Sequence, residues 1–433
     1  MVNGQQSRVS RKRIYLDYAA TTPLDPRVKR AMEPYFAKEF GNPSSIHAEG
    51  VAAKKVLDVS RTTVARALEA HADEIVFTSG GTEANNLAIF GALIKSDFVS
   101  GKRSDLVKPH IVTTTIEHTS VLEPLRALEK AGKAEVTYVP VEPNGIVKPE
   151  KVIAAIKPNT ALVSVMYANN EIGTIQPTRT IGQLLVPIRN SKFILHNSPN
   201  EKRYPVFHSD ACQAPLYLRC LVNALGVDIL SLDAHKIYGP KGVGALYVRR
   251  GTPLSPTLFG GGQERGLRST TENVPAIVGF SEALRIAIAE RDKESTRIQK
   301  LRDRLYSLIR PPAFRLPVPT RQTGERAGAN KRIDAVVNGS MEKGERLPNN
   351  LNISLPGTDT EMLTLQLDAA GIAVATKSSC LRDERESYVV KALDPRDKRR
   401  ARSTLRFTCG RDTSMREVKC AAETLVRLLG EKH

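Results

Sequence analysis

The sequence predicts an α/β protein with a large, mixed but mostly parallel β-sheet covered by helices on both faces, followed by a smaller α+β domain. Three observations support this fold class. In the first half of the chain, short apolar runs typical of buried strands alternate with helical patterns, as in parallel sheets. Polar residues follow these runs at their carboxyl ends, where such sheets bind ligands. From about Asn273 onward, one long charged helix leads into short strands and helices.

The predicted elements are short and follow one another closely. Strand patterns in the first half cover residues 74–78, 110–115, 135–139, 161–166, 205–210, 227–232 and 243–248. Helical patterns lie between the earlier strands, over residues 82–95, 120–131 and 149–156. The second part has predicted helices over 273–308, 360–370 and 414–429 and strands at 351–355 and 403–408. The polar, basic stretch 320–347 predicts a surface insertion.

Composition limits the classes of protein that this chain can represent. The sequence has 433 residues, 41% of them hydrophobic and 25% charged, which is typical of a soluble protein with large cores. No apolar run approaches the length of a membrane span, and the first ten residues lack the apolar centre of a signal peptide. We therefore expect a cytoplasmic protein without membrane contacts. Five cysteines without a C-x-x-C pair predict reduced thiols, and no metal is expected.

The formal charge of +18 is high and has two interpretations. Basic runs can bind an acidic partner such as RNA, or they can simply reflect solubility and overall composition. No nucleic-acid motif with interleaved aromatic residues accompanies the charge. The second interpretation is favoured, and nucleic acid is expected as an indirect partner at most.

Lys236 is the most informative residue of the chain. It lies between the apolar runs 227–232 and 243–248, in a loop rich in glycine and proline, which places it at the mouth of the predicted sheet. A lysine held beside His235 and away from water can have a lowered amine pKa and attack carbonyl groups. Carbonyl capture by lysine is the chemistry of pyridoxal 5′-phosphate (PLP) enzymes, which need a carboxylate opposite the pyridinium nitrogen. Asp210, at the end of an earlier strand, is the candidate for that carboxylate.

Three further motifs follow strands but carry less information alone. The glycines before Thr82 allow a phosphate to approach a helix N-terminus, with Thr82 as helix cap and phosphate ligand, although a plain cap explains the same residues. His118 can stack on a cofactor ring and move protons, or it can lie in an exposed capping turn. Asn170 can hydrogen-bond a phenolic oxygen, or it can serve only as a turn residue.

Together these residues resemble the cysteine desulfurases, PLP enzymes of the class-V aminotransferase superfamily, and specifically their iron–sulfur-assembly branch. The resemblance runs in order from about residue 14 to the C-terminus. Its motifs are residues 15–23, 40–44, 77–86, 115–118, 169–173, 208–213, 235–242 and 260–268. It implies the type I PLP fold, PLP as cofactor and L-cysteine as substrate.

The resemblance also implies a role for each matching residue. Lys236 would bond to the PLP aldehyde, Asp210 would keep the ring nitrogen protonated, and His118 would stack on the ring as acid and base. The remaining cofactor contacts implied are Asn170 and Gln213 at the phenolic oxygen and Gly81, Thr82, Asp233, Ala234 and His235 around the phosphate. Thr271 would reach the phosphate from a second subunit, which implies a homodimer. Arg406 would pair with the substrate carboxylate, near Asn170.

The resemblance places the sulfur acceptor at Cys380, on a loop. Lys377, Arg382 and neighbouring hydroxyl groups favour a reactive thiolate over a buried structural cysteine. Three departures from the family accompany it. Residues 376–379 read Thr-Lys-Ser-Ser instead of Ser-Gly-Ser-Ala, and the loop after Cys380 is strongly charged. Asp233 stands where a phosphate-binding serine is common, and we expect its carboxylate to turn away or to contribute only its backbone. Residues 186–204 and 320–347 are longer than usual.

These inferences define the expected protein. A basic extension covers residues 1–13, a large PLP-binding domain 14–262, and a small α+β domain 263–433. The predicted reaction converts L-cysteine to L-alanine and a Cys380 persulfide, for an iron–sulfur scaffold protein or a tRNA-thiolation protein. Two alternatives remain open: a selenocysteine lyase or related transaminase, and a weakly active sulfur-transfer partner protein.

Overall fold

A large sheet organises the protein. The computed structural model describes residues 13–94, 108–191, 204–309, 335–377 and 386–430. Within these residues, a seven-stranded sheet has the strand order β2-β8-β7-β6-β5-β3-β4. Only β8 runs antiparallel to its neighbours, so the predicted mixed, mostly parallel sheet is confirmed. The strands of the described chain are β1 Ile14–Tyr15, β2 Ile75–Thr78, β3 His110–Thr114, β4 Glu135–Val139, β5 Thr160–Ser164, β6 Val206–Asp210, β7 Ile229–Asp233, β8 Gly244–Val248, β9 Val336–Val337, β10 Asn350–Ser354, β11 Ile372–Ala373 and β12 Thr404–Thr408.

Helices cover both faces of this sheet. Every residue of β2, β3, β5, β6, β7 and β8 is buried. Because successive side chains point to opposite faces, complete burial requires cover on both. The helices of the described chain are α1 Pro26–Met32, α2 Pro34–Ala37, α3 Ala48–Leu68, α4 Gly81–Ile94, α5 Thr119–Lys130, α6 Pro149–Ala154, α7 Thr178–Asn190, α8 Val222–Leu225, α9 Val274–Ile309, α10 Thr360–Ala369, α11 Tyr388–Leu393, α12 Lys398–Arg402 and α13 Met415–Gly430. None of them is long and apolar enough to cross a bilayer.

A second, smaller core forms around the sheet β12-β10-β9. Helix α9 belongs to both cores: Ile277 and Phe280 pack in the large one, and Ile298 and Leu305 pack in the small one. Leu16 also packs in the small core. The N-terminal segment, which comes before the whole large sheet in sequence, is thus part of the small core. The domain division at residue 262 stays a prediction, and the two cores show that α9 and the N-terminal segment connect both parts.

Most predicted elements match the structure within one or two residues, but several helices were not predicted (α1–α3, α7, α8, α11 and α12) and one predicted insertion differs. Residues 26–68, left unassigned above, contain α1, α2 and the 21-residue α3. In the described part of the predicted surface insertion 320–347, residues 342–344 are exposed as expected, but β9 pairs with β10 and Arg346 is buried. The Arg346 guanidinium donates to the backbone carbonyls of Ser340 and Asn338, which fixes this turn. Residues 320–334 lie outside the described part of the chain.

A buried ion pair fastens the segment 260–271 to the large core. Arg61 Nη1 and Nη2 lie 2.6 and 2.7 Å from the two carboxylate oxygens of Glu264. The same carboxylate accepts a hydrogen bond of 2.9 Å from the Phe77 amide of β2. Glu264 and Arg265 have φ values of 47° and 58°, a left-handed conformation that side-chain contacts must stabilise in residues other than glycine.

We predict that Glu264→Ala lowers the free energy of unfolding by about 3–5 kcal/mol, because it leaves the Arg61 charge buried without its carboxylate. Chemical denaturation followed by circular dichroism measures this loss. The control is Glu123→Ala, which removes an exposed partner of Arg126 and should cost less than about 1 kcal/mol. Equal losses in the two variants would contradict the structural role of Glu264.

Candidate active site

One pocket lies at the carboxyl edge of the large sheet. β2, β3, β5, β6 and β7 run in the same direction, so the residues that follow them meet at this edge. The pocket is lined by ten of the predicted site residues: Gly81, Thr82, His118, Asn170, Asp210, Gln213, Asp233, His235, Lys236 and Arg406. The sheet therefore gathers side chains that lie up to 325 positions apart in sequence (406 − 81).

Lys236 ends a short 3₁₀ helix that directly follows β7. The turn begins at Asp233, whose carboxylate accepts a hydrogen bond from the His235 amide. Lys236 Nζ donates hydrogen bonds of 2.8 and 2.7 Å to the backbone carbonyls of Ala19 and Ala20. Two neutral acceptors thus fix the amine in the pocket.

Asp210 is a buried carboxylate at the end of β6, with 8% of its surface exposed. Its Oδ1 accepts from the Cys212 amide at 2.9 Å, and its Oδ2 accepts from Asn85 Nδ2 at 2.8 Å. Asn85 was not predicted as a site residue. It lies four positions after Gly81 on α4, so helical spacing puts both on the face toward the sheet, and this was the available signal.

His118 lines the pocket and also caps α5, so the predicted capping turn is present, and stacking on a cofactor ring stays a prediction. Its Nδ1 accepts from the Ser120 amide at 3.2 Å and lies 2.8 Å from Ser120 Oγ. Ser120 Oγ in turn accepts from Asn85 Nδ2, which links the histidine to the amide that holds Asp210. This chain of contacts fixes the imidazole orientation relative to Asp210.

The start of α4 differs from the prediction in two ways. The helix begins at Gly81, so Thr82 is a residue of its first turn and not its cap. The expectation that Asp233 turns away is also wrong, because its side chain enters the pocket and Oδ2 accepts from the Gly81 amide at 2.8 Å. A Cβ atom on Gly81 would lie 2.6 Å from Cys212 Sγ, so only glycine allows this close approach.

Of the other residues predicted to contact the phosphate or the ring, His235 and Gln213 line the pocket and Ala234 does not. His235 Nδ1 lies 3.1 Å from Thr21 Oγ1, and its Nε2 lies 3.4 Å from Asp233 Oδ2. Gln213 Nε2 donates to the Ala19 carbonyl at 3.0 Å. Ala234 is buried behind the pocket, and its amide donates to the Val243 carbonyl. The structure therefore does not bring Ala234 to the pocket surface.

Arg406 is almost completely buried on β12, with 1% of its surface exposed. Nη1 donates to the Asn170 carbonyl at 2.9 Å, and Nη2 pairs with Asp17 Oδ1 at 2.7 Å. Nε has no hydrogen-bond partner among the described residues. Asp17 was missed by the sequence analysis, although it lies in the motif 15–23.

Among the described residues, Ala234 and Thr271 are the predicted ones that do not line this pocket. Thr271 is exposed and lines a separate cleft with Gly242 and Arg268. Cys380 lies outside the described residues. Among the described cysteines, Cys212 lines the pocket, but burial next to Asp210 and Asp233 raises the pKa of its thiol well above the usual value. Cys212 is therefore a poor nucleophile at neutral pH.

The pocket suits PLP group by group. Lys236 supplies the amine for its aldehyde, and the buried Asp210 supplies an anion for its ring nitrogen. Asn85 Oδ1 and Arg406 Nε are buried without partners in the described chain, as expected for groups that await a ligand. The N-terminus of α4 offers amides for the phosphate, and the Asp233 carboxylate, which already accepts from one of them, is an opposing charge there.

Comparison with known proteins gives the family of the chain. The model of the class-V aminotransferase family matches residues 14–328. The chain is 39% identical to the cysteine desulfurase IscS of Dictyoglomus turgidum (strain DSM 6724 / Z-1310) over 422 residues, which covers 97% of this chain and 95% of the relative. The chain belongs to the cysteine desulfurases. The resemblance described from the sequence is thereby confirmed.

Solved structures support the family at the level of the fold. The structure of a NifS-like protein superposes with a TM-score of 0.81 and 32% identity, covering 97% of this chain and 100% of that one. The structure of SspA in complex with cysteine superposes with a TM-score of 0.72 and 30% identity, covering 91% and 98%. The predicted aminotransferase fold is confirmed, and cysteine desulfurases are PLP-dependent enzymes.

Glu117, next to His118, is a buried acid in this family member. Burial raises its pKa to about 8, against the hydrogen bonds that Thr114 Oγ1 and the Met166 amide donate to it. In the unfolded chain the same carboxyl has its ordinary pKa of 4.5. The folded state therefore binds more protons between these values, and stability from this group falls as pH rises toward 8.

We predict that Glu117→Gln removes this part of the pH dependence. Between pH 5.5 and 7.5, the free energy of unfolding of the wild type should fall relative to the variant by up to about 1.4 kcal/mol per pH unit. Urea denaturation at three pH values measures the two slopes. Asp58→Asn, an exposed change on α3, serves as control and should keep the wild-type slope. Parallel curves for Glu117→Gln and the wild type would contradict the prediction.

Proposed function

We propose that this cysteine desulfurase uses Lys236, Asp210 and His118 to act on L-cysteine and transfers the sulfur to Cys380. The observation that supports this most directly is the meeting of Lys236 and Asp210 in one pocket. Each ends or follows a different strand of the sheet, and the pocket also contains a buried arginine suited to a substrate carboxylate. No described residue other than Lys236 contributes a lysine amine to this pocket.

The pocket residues divide the chemistry between them. When bound, PLP draws electrons away from the α-carbon of the substrate. Asp210, held by Asn85 and the Cys212 amide, would keep a proton on the ring nitrogen. Lys236 Nζ would bond to the cofactor aldehyde and, once displaced by substrate, take the α-proton.

His118 and Arg406 would orient and assist the substrate. Nδ1 of His118 is engaged by Ser120, so Nε2 is the nitrogen that we expect to exchange a proton. Arg406 would pair with the substrate carboxylate through the N–H groups that Asn170 and Asp17 leave available. Low exposure of the guanidinium strengthens such a pair, because water competes little with the substrate.

The described residues on each side of Cys380 support its role. Before it, the backbone of Ala375 pairs with that of Arg406, and Thr404 Oγ1 donates to the Thr376 carbonyl. After it, Ser387 Oγ donates to the Glu171 carboxylate at 2.6 Å, and Tyr388 hydroxyl donates to the Glu117 carbonyl at 2.5 Å. Both flanks are thus tied to neighbours of the pocket residues Arg406, Asn170 and His118.

In the proposed transfer, the Cys380 thiolate attacks the substrate sulfur. The bond between the sulfur and the β-carbon breaks, its electron pair stays on the β-carbon, and that carbon takes up a proton. The α-carbon then regains the proton that Lys236 removed, which gives L-alanine. Cys380 retains the sulfur as a persulfide, so no external oxidant or reductant is needed. An iron–sulfur scaffold or a tRNA-thiolation protein as acceptor, the homodimer with Thr271 in the partner's site, and the cytoplasmic location remain proposals.

We predict that Lys236→Ala abolishes covalent capture of PLP, because no other amine lines the described pocket. After incubation with PLP and reduction by borohydride, mass spectrometry should find one cofactor on a peptide containing Lys236 in the wild type and none in the variant. Lys241→Ala, which removes an exposed lysine five positions further along, should be labelled like the wild type. Stoichiometric labelling of folded Lys236→Ala would rule out this assignment.

We predict that Cys380→Ala stops the release of L-alanine from L-cysteine while borohydride labelling of Lys236 persists. The variant keeps the pocket and lacks only the sulfur acceptor. Intact mass spectrometry after incubation with L-cysteine should show an added sulfur on the wild type and none on the variant. Cys420→Ala removes an exposed thiol of α13 and should behave as the wild type. Normal alanine release by Cys380→Ala would refute the proposed acceptor.

A further inference from the structure

A carboxylate of the protein already occupies the start of α4. Asp233 Oδ2 accepts from the Gly81 amide at 2.8 Å, and the same carboxylate lies 3.4 Å from His235 Nε2. The first amides of a helix have no partner within the helix and carry the positive end of its dipole. Asp233 therefore fills a position where an anion is stabilised.

Two glycines allow the Asp233 carboxylate to lie close to the backbone at the start of α4. Gly80 has a φ of 148°, which side chains rarely adopt, and a Cβ on it would lie 3.3 Å from Asp233 Oδ2. A Cβ on Gly81 would lie 3.2 Å from the same oxygen. Two successive glycines thus leave room for the carboxylate against the backbone of the turn.

The Asp233 charge is retained inside the pocket. Burial opposes the charge, but His235, the hydrogen bond from the Gly81 amide and the charge of Lys236 outweigh it, so the pKa of Asp233 lies below its usual value. Only 8% of the residue surface is exposed, so water screens this anion weakly.

Glu83, also in the first turn of α4, differs in its partners. Its carboxylate accepts from the Ser79 amide at 2.8 Å and forms two contacts with Arg268, of 2.7 and 3.1 Å. A guanidinium thus balances Glu83 through two direct contacts, whereas the Asp233 carboxylate lies 3.4 Å from the imidazole Nε2 of His235 and is also influenced by the charge of Lys236. Asp233, which ends β7 and reaches this turn from outside the helix, is therefore the carboxylate that can oppose an incoming anion.

We propose that Asp233 competes with the phosphate of PLP for the start of α4 and thereby lowers the affinity of this pocket for the phosphorylated cofactor. The proposal rests on the proposed function, because it assumes that PLP binds next to Lys236. Phosphate binding at this position requires the Asp233 carboxylate to leave the Gly81 amide or to remain near a second anion. Either event costs free energy that a neutral side chain would not require.

The test compares two aldehydes, PLP and pyridoxal, which differ in the phosphate. Their dissociation constants are measured by absorbance titration of cofactor-free protein, for the wild type, Asp233→Asn and Asp233→Ser. We expect both variants to bind PLP about tenfold more tightly or better, since removal of one nearby charge commonly changes binding by this order. Pyridoxal affinity should change less than about twofold, because it carries no phosphate.

The wild type alone provides a second measurement that needs no variant to fold. If Asp233 cancels much of the gain from the phosphate, PLP should bind the wild type within roughly a hundredfold of pyridoxal, about 2.7 kcal/mol. A larger preference of the wild type for PLP, or variants that bind PLP no more tightly than the wild type, would overturn the inference alone. Failure of Lys236 to capture either aldehyde in any form would overturn the proposed function as well. Thermal melting of each variant establishes that it is folded.

Discussion

The backbone of residues 17–22 connects the two parts of the active site, and the position of Lys236 depends on it. The carbonyls of Ala19 and Ala20 accept both hydrogen bonds from the lysine amine at the end of the large sheet. Asp17, a few residues earlier, pairs with Arg406 of the small sheet. One short segment therefore sets the distance between the amine that captures an aldehyde and the guanidinium that binds a carboxylate. Its own place is fixed by Leu16, which is buried in the small core.

The large sheet determines the direction in which the pocket residues point, whereas residues 17–22 determine the distance between Lys236 and Arg406. Five strands point their carboxyl ends at the pocket, and two of them, β6 and β7, end in the carboxylates of Asp210 and Asp233. A buried carboxylate such as Asp210 is tolerated at such an end only because Asn85 and a backbone amide satisfy its oxygens. The same hydrogen bonds prevent rotation of the carboxylate, so the groups that make the burial possible also orient it. Stability and function thus depend on one set of contacts at this edge.

The sequence was sufficient for the alternation of strands and helices and for most residues of the pocket, because strand ends and glycine turns have local signals. Contacts that depend on distant backbone had no such signal: nothing near Lys236 indicates that Ala19 and Ala20 hold its amine. Helix α3 was missed because Ser60 and Arg61 occupy its buried face while Val51 and Val59 are exposed, which blurs the helical pattern. The exposure of Thr82 and the orientation of the Asp233 side chain into the pocket could not be predicted from the sequence either, because both depend on the residue at which α4 begins.

Asp210 and Asp233 show that the same residue type at neighbouring strand ends can have opposite consequences. They end the adjacent parallel strands β6 and β7, and both side chains reach the same pocket. Asp210 faces the side chain of Asn85 and can stabilise a cation in the space beyond it. Asp233 faces a helix N-terminus, whose natural ligand is an anion like itself. What each carboxylate does is therefore decided by the dipole in front of it, and a residue-by-residue comparison of motifs cannot replace that geometry.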